Sequence, residues 1–386
     1  MLPHYSILYS IPYVFVVFIL FIFVGIENKY YRNNTKKSIS ISSAIIILLF
    51  IGFRGHIQTD FIQYYPFFQS LNNIDSVGYN ISTTVFEPGF VIYSTIVKQI
   101  FNNYYIWIFI NTTIDIFVFT WLFKKYSCSV ALSWIFFILF SGLVLEFNLL
   151  RNSKAIVLFL ISIPYIEKRR LIPFLLLWSL EMTLHLSSIL YLPMYWLINR
   201  QYNRKLIIIM FLFVNFLLFT KTNITSMLID TMTRFMSEDD RISMKAVGYF
   251  LKGEENTLSL GYIEKTSIFI LCVIYYKKLY EINKSNLIFC NAFFIYYILW
   301  YMFSDVKVFV ERFPILFAFS YWIICPNLIF LLRVKTRSLI IPIIFLFSIF
   351  KIVSITNQRP YYYENIIWGI SSYEQRQELI NSWRRK

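Results

Sequence analysis

What this chain of 386 residues lacks narrows its function quickly. Only 15% of the residues are charged against 58% hydrophobic, and the mean hydropathy is +0.60. No soluble domain of this size needs so much apolar surface. The four cysteines, Cys128, Cys272, Cys290 and Cys325, stand singly in or beside apolar runs. With no CxxC or other ligand spacing, they argue against a disulfide framework and against zinc. His4, His56 and His185 are too few and too dispersed for a metal cluster. No GxGxxG, Walker or GxSxG pattern precedes a helical run, so nucleotide binding and serine hydrolysis have no support. Acidic residues are scarce as well, 21 against 36 Lys and Arg, which leaves a net charge of +15. That excess falls in short clusters between apolar runs, which is a topological pattern and not a nucleic-acid signal.

What is present is apolar sequence in membrane-sized lengths. A spanning helix needs roughly 20 apolar residues, fewer where it is short or tilted. Candidate spans fall at 5–26, 39–53, 104–123, 129–147, 155–166, 171–184, 187–198, 206–220, 262–276, 287–303, 308–332 and 339–355. This pattern predicts an all-α polytopic integral membrane protein, a single transmembrane domain over 1–386 with about 12 crossing helices. The runs between 155 and 198 are short, and some read as half-helices meeting inside the bundle. The first run is too long for a signal-peptide core and lacks a small-residue cleavage site, so it is read as a retained span.

Basic clusters set the orientation. Lys29, Arg32, Lys36 and Lys37 follow the first run, which puts the N-terminus outside. Later alternate gaps, those after the third, fifth, seventh, ninth and eleventh runs, agree, with Lys124 and Lys125, Lys168 to Arg170, Arg200 to Lys205, Lys277 to Lys284 and Arg333 to Arg337. The opposite, outward side then carries 54–103, with an amphipathic stretch after Glu87-Pro88-Gly89. It also carries the polar loop 221–261 and the tail 356–386. No internal repeat is evident, which weakens an inverted-repeat transporter reading.

Ionisable groups at or inside helix ends are costly and count as functional candidates. The outward side holds Arg54, Asp60, Glu87, Glu146, Arg151, Lys154, Glu181, His185, Asp305, Lys307, Glu311 and Arg312. The stretch FIGFRGHIQTDFIQYYPFF puts Arg54, Asp60, Tyr64 and Tyr65 together where an apolar run ends. An interfacial loop with snorkelling Arg and belt Tyr would look the same. Arg54, Arg151 and Arg312 share one predicted membrane face. Their planar forks suit a lipid pyrophosphate, and the alternative is snorkelling or pairing with Glu146 or Glu311. Glu181 and His185 are four apart and share a helical face, so the carboxylate could orient the imidazole as a base. A structural histidine is the alternative. Asp115, near Asn111 and Thr112, reads as an interhelical hydrogen-bonding group.

Several of these runs together resemble the EpsG family. They are GFRG-x4-D-x3-Y after a short helix, Glu87 before an amphipathic stretch, Arg151 opening a helix with Ala155 behind it, LHLSS with His185, and ERF with Arg312. The likeness spans about 51–317 and includes Wzy-type polymerases of O-antigen and exopolysaccharide clusters. Asn152 and Thr59 depart from the family pattern, which often has Gln and Gly there.

The resemblance implies a GT-C-like glycosyltransferase of the bacterial inner membrane, multi-pass, with its site facing the periplasm. It would transfer a glycan carried on undecaprenyl diphosphate to the non-reducing end of a new lipid-linked repeat unit. Arg54, Arg151 and Arg312 would hold the pyrophosphate. His185, Asp60 or Glu87 would serve catalysis, and Tyr64 and Tyr65 would contact sugars. Membrane lipids and a chain-length regulator are possible partners. No nucleic acid, cofactor or metal is implied. An O-antigen ligase using the same donor, or a lipid-linked oligosaccharide flippase, are the rival readings.

Overall fold

The structure, a computed structural model, describes residues 3–29, 33–220, 260–304 and 312–384 together with 222, 227 and 310, without the side chains of 33 and 34. The loop 221–261 and the candidates Asp305, Lys307 and Glu311 therefore lie mostly or wholly outside the described residues. Among those described, every regular element is a helix, with three isolated β-bridges. Two compact units share the chain, Met1–Leu192 with Leu332–Lys386, and Pro193–Leu331.

The first unit holds α1 (Ile11–Lys29), α2 (Asn33–Gly52), α3 (Phe61–Ser70), α4 (Val77–Ser82), α5 (Pro88–Ile100) and α6 (Tyr104–Tyr126). It continues with α7 (Val130–Phe147), α8 (Leu150–Glu167) and α9 (Leu171–Leu184). The second unit contributes α10 (Met194–Leu197), α11 (Arg204–Phe219), α12 (Leu260–Ile282), α13 (Asn286–Met302) and α14 (Phe319–Phe330). The first unit then closes with α15 (Val334–Thr356) and α16 (Tyr373–Arg384).

Among the described residues five segments are long and apolar enough to cross a membrane, namely Ile7–Lys29, Thr35–Gly52, Tyr104–Tyr126, Val130–Phe147 and Val334–Thr356. Shorter apolar helices accompany them, and the protein is a multi-pass membrane protein. The spans start where side chains can satisfy the first orphan N–H groups. Asn103 Oδ1 accepts from the amides of Tyr105 and Ile106, and Ser129 Oγ from that of Leu132. α7 lies at the centre of its unit, 89% buried, whereas α15 is 17% buried and presents an apolar face outward. α7 is broken at Phe140 and Ser141, the latter at φ +67.

Local chemistry displaces two expected spans. Residues 187–198 form a 3-10 segment, Leu186–Tyr191, and a single turn at α10, because Pro193 offers no N–H to carry one helix through. Within 308–332, Pro314 opens a separate 3-10 turn before α14. The segment 54–103 is likewise more than a loop, since it folds into α3, α4 and α5.

The tail is woven into the end of the first unit that carries Arg54. The amide of Gly55 donates to Glu364 O at 2.9 Å and that of Ile366 to Phe53 O at 2.8 Å, while the amide of Ser6 donates to Asn357 O at 2.8 Å. Arg376, almost fully buried, donates to the carbonyls of Pro360 (3.3 Å) and Tyr362 (2.5 Å). The N-terminus, the segment after α2 and the tail therefore share one end of this unit. Lys124 and Lys125, in the last turn of α6, and Lys168 to Arg170, just after α8, lie at the other end.

Candidate functional site

The site is built from the chain entering α5. Glu87 has an extended backbone just before Pro88, whose fixed φ suits the first helical position and whose missing N–H costs nothing there. Gly89 follows because α5 passes close to the end of α9. A Cβ at this position would lie 2.9 Å from the carbonyl oxygen of Thr183 and closer still to its side chain. Only glycine lets the two helices approach, and that approach carries Glu87 to His185. Gly89→Ala should accordingly lower stability by about 1–3 kcal/mol. It should also reduce activity, which a melting curve and an activity assay on the same preparation would show; unchanged values in both would refute the packing argument.

Glu87 joins two of the expected functional residues. Its Oε2 accepts from Arg151 Nη1 at 2.5 Å, and its Oε1 lies 3.2 Å from His185 Nδ1. Arg151 opens α8, and its guanidinium lies over the Phe86 ring, 4.5 Å from the centroid. Burial alone would raise the Glu87 carboxyl, but the hydrogen bond from His185 and the charge of Arg151 hold it at about 2. It is a fixed anion among Arg151, His185 and the amide of Leu186, which donates to Oε1 at 3.4 Å. Arg151 Nε is buried with no partner among the described residues. With Nδ1 turned to Glu87, His185 keeps Nε2 for another contact.

The pairing of His185 differs from the sequence expectation. The helical run ends at Leu184, and His185 is extended at φ −158 and ψ 125, so it no longer shares a face with Glu181. Glu87 takes that orienting place. Glu181 is buried one turn back, and neither carboxyl oxygen has a hydrogen bond among the described residues.

Arg54 lies in the same unit but is turned into protein. Its Nη1 donates to Ile51 O at 2.8 Å and Thr112 Oγ1 at 3.0 Å, and its Nη2 donates to Glu146 O. Burial lowers its pKa from the usual guanidinium value. Behind it runs a buried polar network. Lys154 Nζ meets Asp115 Oδ1 at 2.5 Å and Asn111 O at 2.7 Å. Ser153 Oγ donates to Asp115 Oδ2 at 2.7 Å and lies 3.3 Å from Glu146 Oε1. Asp115 thus makes interhelical bonds as expected, though to Ser153 and Lys154 of α8. Ser153 had no distinguishing sequence signal.

The remaining candidates divide. Asp60 precedes α3, and its amide donates to Asn148 Oδ1 at 3.3 Å, three residues before Arg151. Tyr64 is buried in an aromatic cluster with Phe86, Phe90 and Trp107, beside Arg151, and burial pushes its hydroxyl up to about 12. Tyr65 stacks on Tyr373 of the tail at 4.6 Å. Neither ring stands open as a platform, because the helical fold of 61–70 and the tail use these faces for packing. His56 is buried against Tyr105, its Nε2 3.0 Å from that hydroxyl; burial and the Arg376 charge hold it near 4, hence neutral. Arg312 belongs to the second unit and is exposed there. Among the described residues no group of His, Cys, Asp and Glu could hold a metal ion.

The structure therefore gathers Glu87, Arg151 and His185 at one point, with Tyr64 and Asp60 adjoining, from segments scattered over a hundred residues. Such a cluster can hold an anion and orient an imidazole in one place. Neither a curated protein nor a solved structure matches the chain. The profile of one family does, over residues 37–366, most of the length. The chain belongs to the EpsG family, which is linked to exopolysaccharide biosynthesis.

Proposed function

We propose that this protein is a polysaccharide polymerase, a GT-C-like glycosyltransferase of the bacterial inner membrane acting on its outer, periplasmic face. The donor is a glycan on undecaprenyl diphosphate, and the acceptor is the non-reducing end of a new lipid-linked repeat unit. The observation that carries this reading is the Glu87–Arg151–His185 cluster, which lies at the end of its unit away from the basic loops. A site there meets no nucleotide sugar, so its donor must arrive already activated, and a lipid diphosphate sugar is such a donor.

In this mechanism the Arg151 guanidinium holds the diphosphate and offsets the charge developing on the leaving group. Glu87 fixes both neighbours, and His185 Nε2 takes the proton of the acceptor hydroxyl. Asp60 is assigned the role of orienting that hydroxyl. Arg54, whose donors are already bonded, acts as a positioning residue that ties the segment after α2 to α6 and α7. A chain-length regulator would act through the outward surface.

Deleting the gene tests the class. In a host that builds lipopolysaccharide, a gel should show core carrying a single repeat, since donor synthesis, flipping and ligation all survive. Bare core would indicate the ligase or flippase instead, and an unchanged ladder would exclude all three.

A further inference from the structure

A groove of about 530 Å³ lies between α6 and α8 at the end opposite the Glu87 cluster. Its walls are Phe117, Val118, Ile161 and Pro164, with Trp121 and Tyr165 toward the rim and Lys168 and Arg170 at the mouth. Followed along the two helices toward their basic ends, the lining passes from Phe117, Val118 and Ile161 through Trp121 and Tyr165 to Lys168 and Arg170. That is the order of a bilayer leaflet read from the acyl chains to the head group. Pro164 sits inside α8 and cannot donate to the preceding turn, a known way of opening a helix surface.

The charge at the mouth is available. Glu167, the nearest acid in sequence, is engaged by the Tyr126 hydroxyl at 3.1 Å and by Lys125 at 3.7 Å. Lys168 and Arg170 are exposed and make no ion pair among the described residues. An apolar slot ending in two uncompensated cations is complementary to a molecule with a hydrocarbon tail and a phosphate head.

We propose that this groove binds one anionic phospholipid of the leaflet on the basic-loop side, with an acyl chain along Val118 and Ile161 and the phosphate between Lys168 and Arg170. The polyprenyl carrier is the wrong occupant. Its diphosphate belongs at Arg151, and 17 residues of helix separate Arg151 from Lys168, about 25 Å at 1.5 Å per residue. The lipid would brace α6 against α8 from the opposite leaflet. The exclusion of the carrier rests on the polymerase reading, whereas the fit of an anionic phospholipid to the groove does not.

The test is native mass spectrometry of the full chain released from detergent and titrated with phosphatidylglycerol or phosphatidylcholine of matched chains. One phosphatidylglycerol should bind in preference to phosphatidylcholine. K168Q/R170Q should weaken it about 25-fold, from roughly fivefold for each cation near a phosphate. K277Q/K278Q, which removes two basic-loop charges elsewhere, should leave it unchanged. Soluble glycerol phosphate at millimolar concentration should not displace the lipid. Equal affinity for both lipids would overturn the proposal, as would equal loss in the two double variants, which would signify diffuse attraction. Displacement by glycerol phosphate would reduce the groove to an anion site. Tighter binding of a polyprenyl phosphate, lost in K168Q/R170Q, would give the groove to the carrier.

Discussion

Replacing Glu87 with Gln should abolish long polymer and slow transfer by about 10²-fold or more, the scale of losing an oriented base together with a diphosphate clamp. Glutamine keeps the volume at this position, so the packing of α5 on α9 is preserved. What it loses is the charge that faces Arg151 at 2.5 Å and His185 at 3.2 Å. Its amide can serve one of them as acceptor, but it presents its NH2 group to the other. The three residues act as a unit, so E87Q, R151A and the pair of changes together should fall to similar low rates and not multiply. Polymer length on a gel and single-turnover transfer from a lipid-linked donor would both report it; full activity in E87Q would end the proposed mechanism.

The same residue fixes a pH dependence. Its folded pKa of about 2 lies below the ordinary Glu value near 4.3. A depressed carboxylate stabilises the folded state above its unfolded pKa, and that contribution fades as pH falls through the interval down to the folded value. Wild type should therefore lose stability relative to E87Q between about pH 4.5 and 2. Equal acid sensitivity of the two proteins over that interval would refute the assignment.

Much of this architecture was legible in the sequence, and the misses have physical causes. Apolar length alone located α1, α6, α7 and α15, since a lipid-facing span has no alternative to a continuous hydrophobic run. The same criterion overlooked α3 and α16, which are amphipathic or polar and gain their order from contact with other parts of the chain. Glu87, Arg151 and His185 were each visible as an ionisable group at the edge of an apolar run. Their meeting was not, because periodicity pairs residues along one helix and cannot see that His185 lies just past its end. Gly89 carries the relevant signal in the EPG triplet, but its reason, the Thr183 backbone across the contact, exists only in three dimensions. The tail looked like a translocated appendage. In fact its carbonyls and rings complete the segment after α2, through backbone pairing that leaves no side-chain pattern.

Lys154→Met should be the most destabilising single change in the first unit. It removes the cation 2.5 Å from Asp115 while leaving that carboxylate wholly buried, with Ser153 as its remaining donor. Breaking one side of a buried pair costs about 3–5 kcal/mol, because the survivor keeps its desolvation penalty without compensation. Asp115→Leu should cost a similar amount, as it strands Lys154 against the Asn111 carbonyl. The double variant should recover most of the loss, since apolar side chains of comparable size remove both penalties. Thermal melting of the purified protein, followed by tryptophan fluorescence, would measure all three. Neither residue touches Glu87, Arg151 or His185, so polymer synthesis should return with stability in the double variant. A double variant as unstable as either single would show that the pair does more than neutralise itself, and would direct attention to Glu146, whose Oε1 lies 3.3 Å from the shared Ser153 hydroxyl.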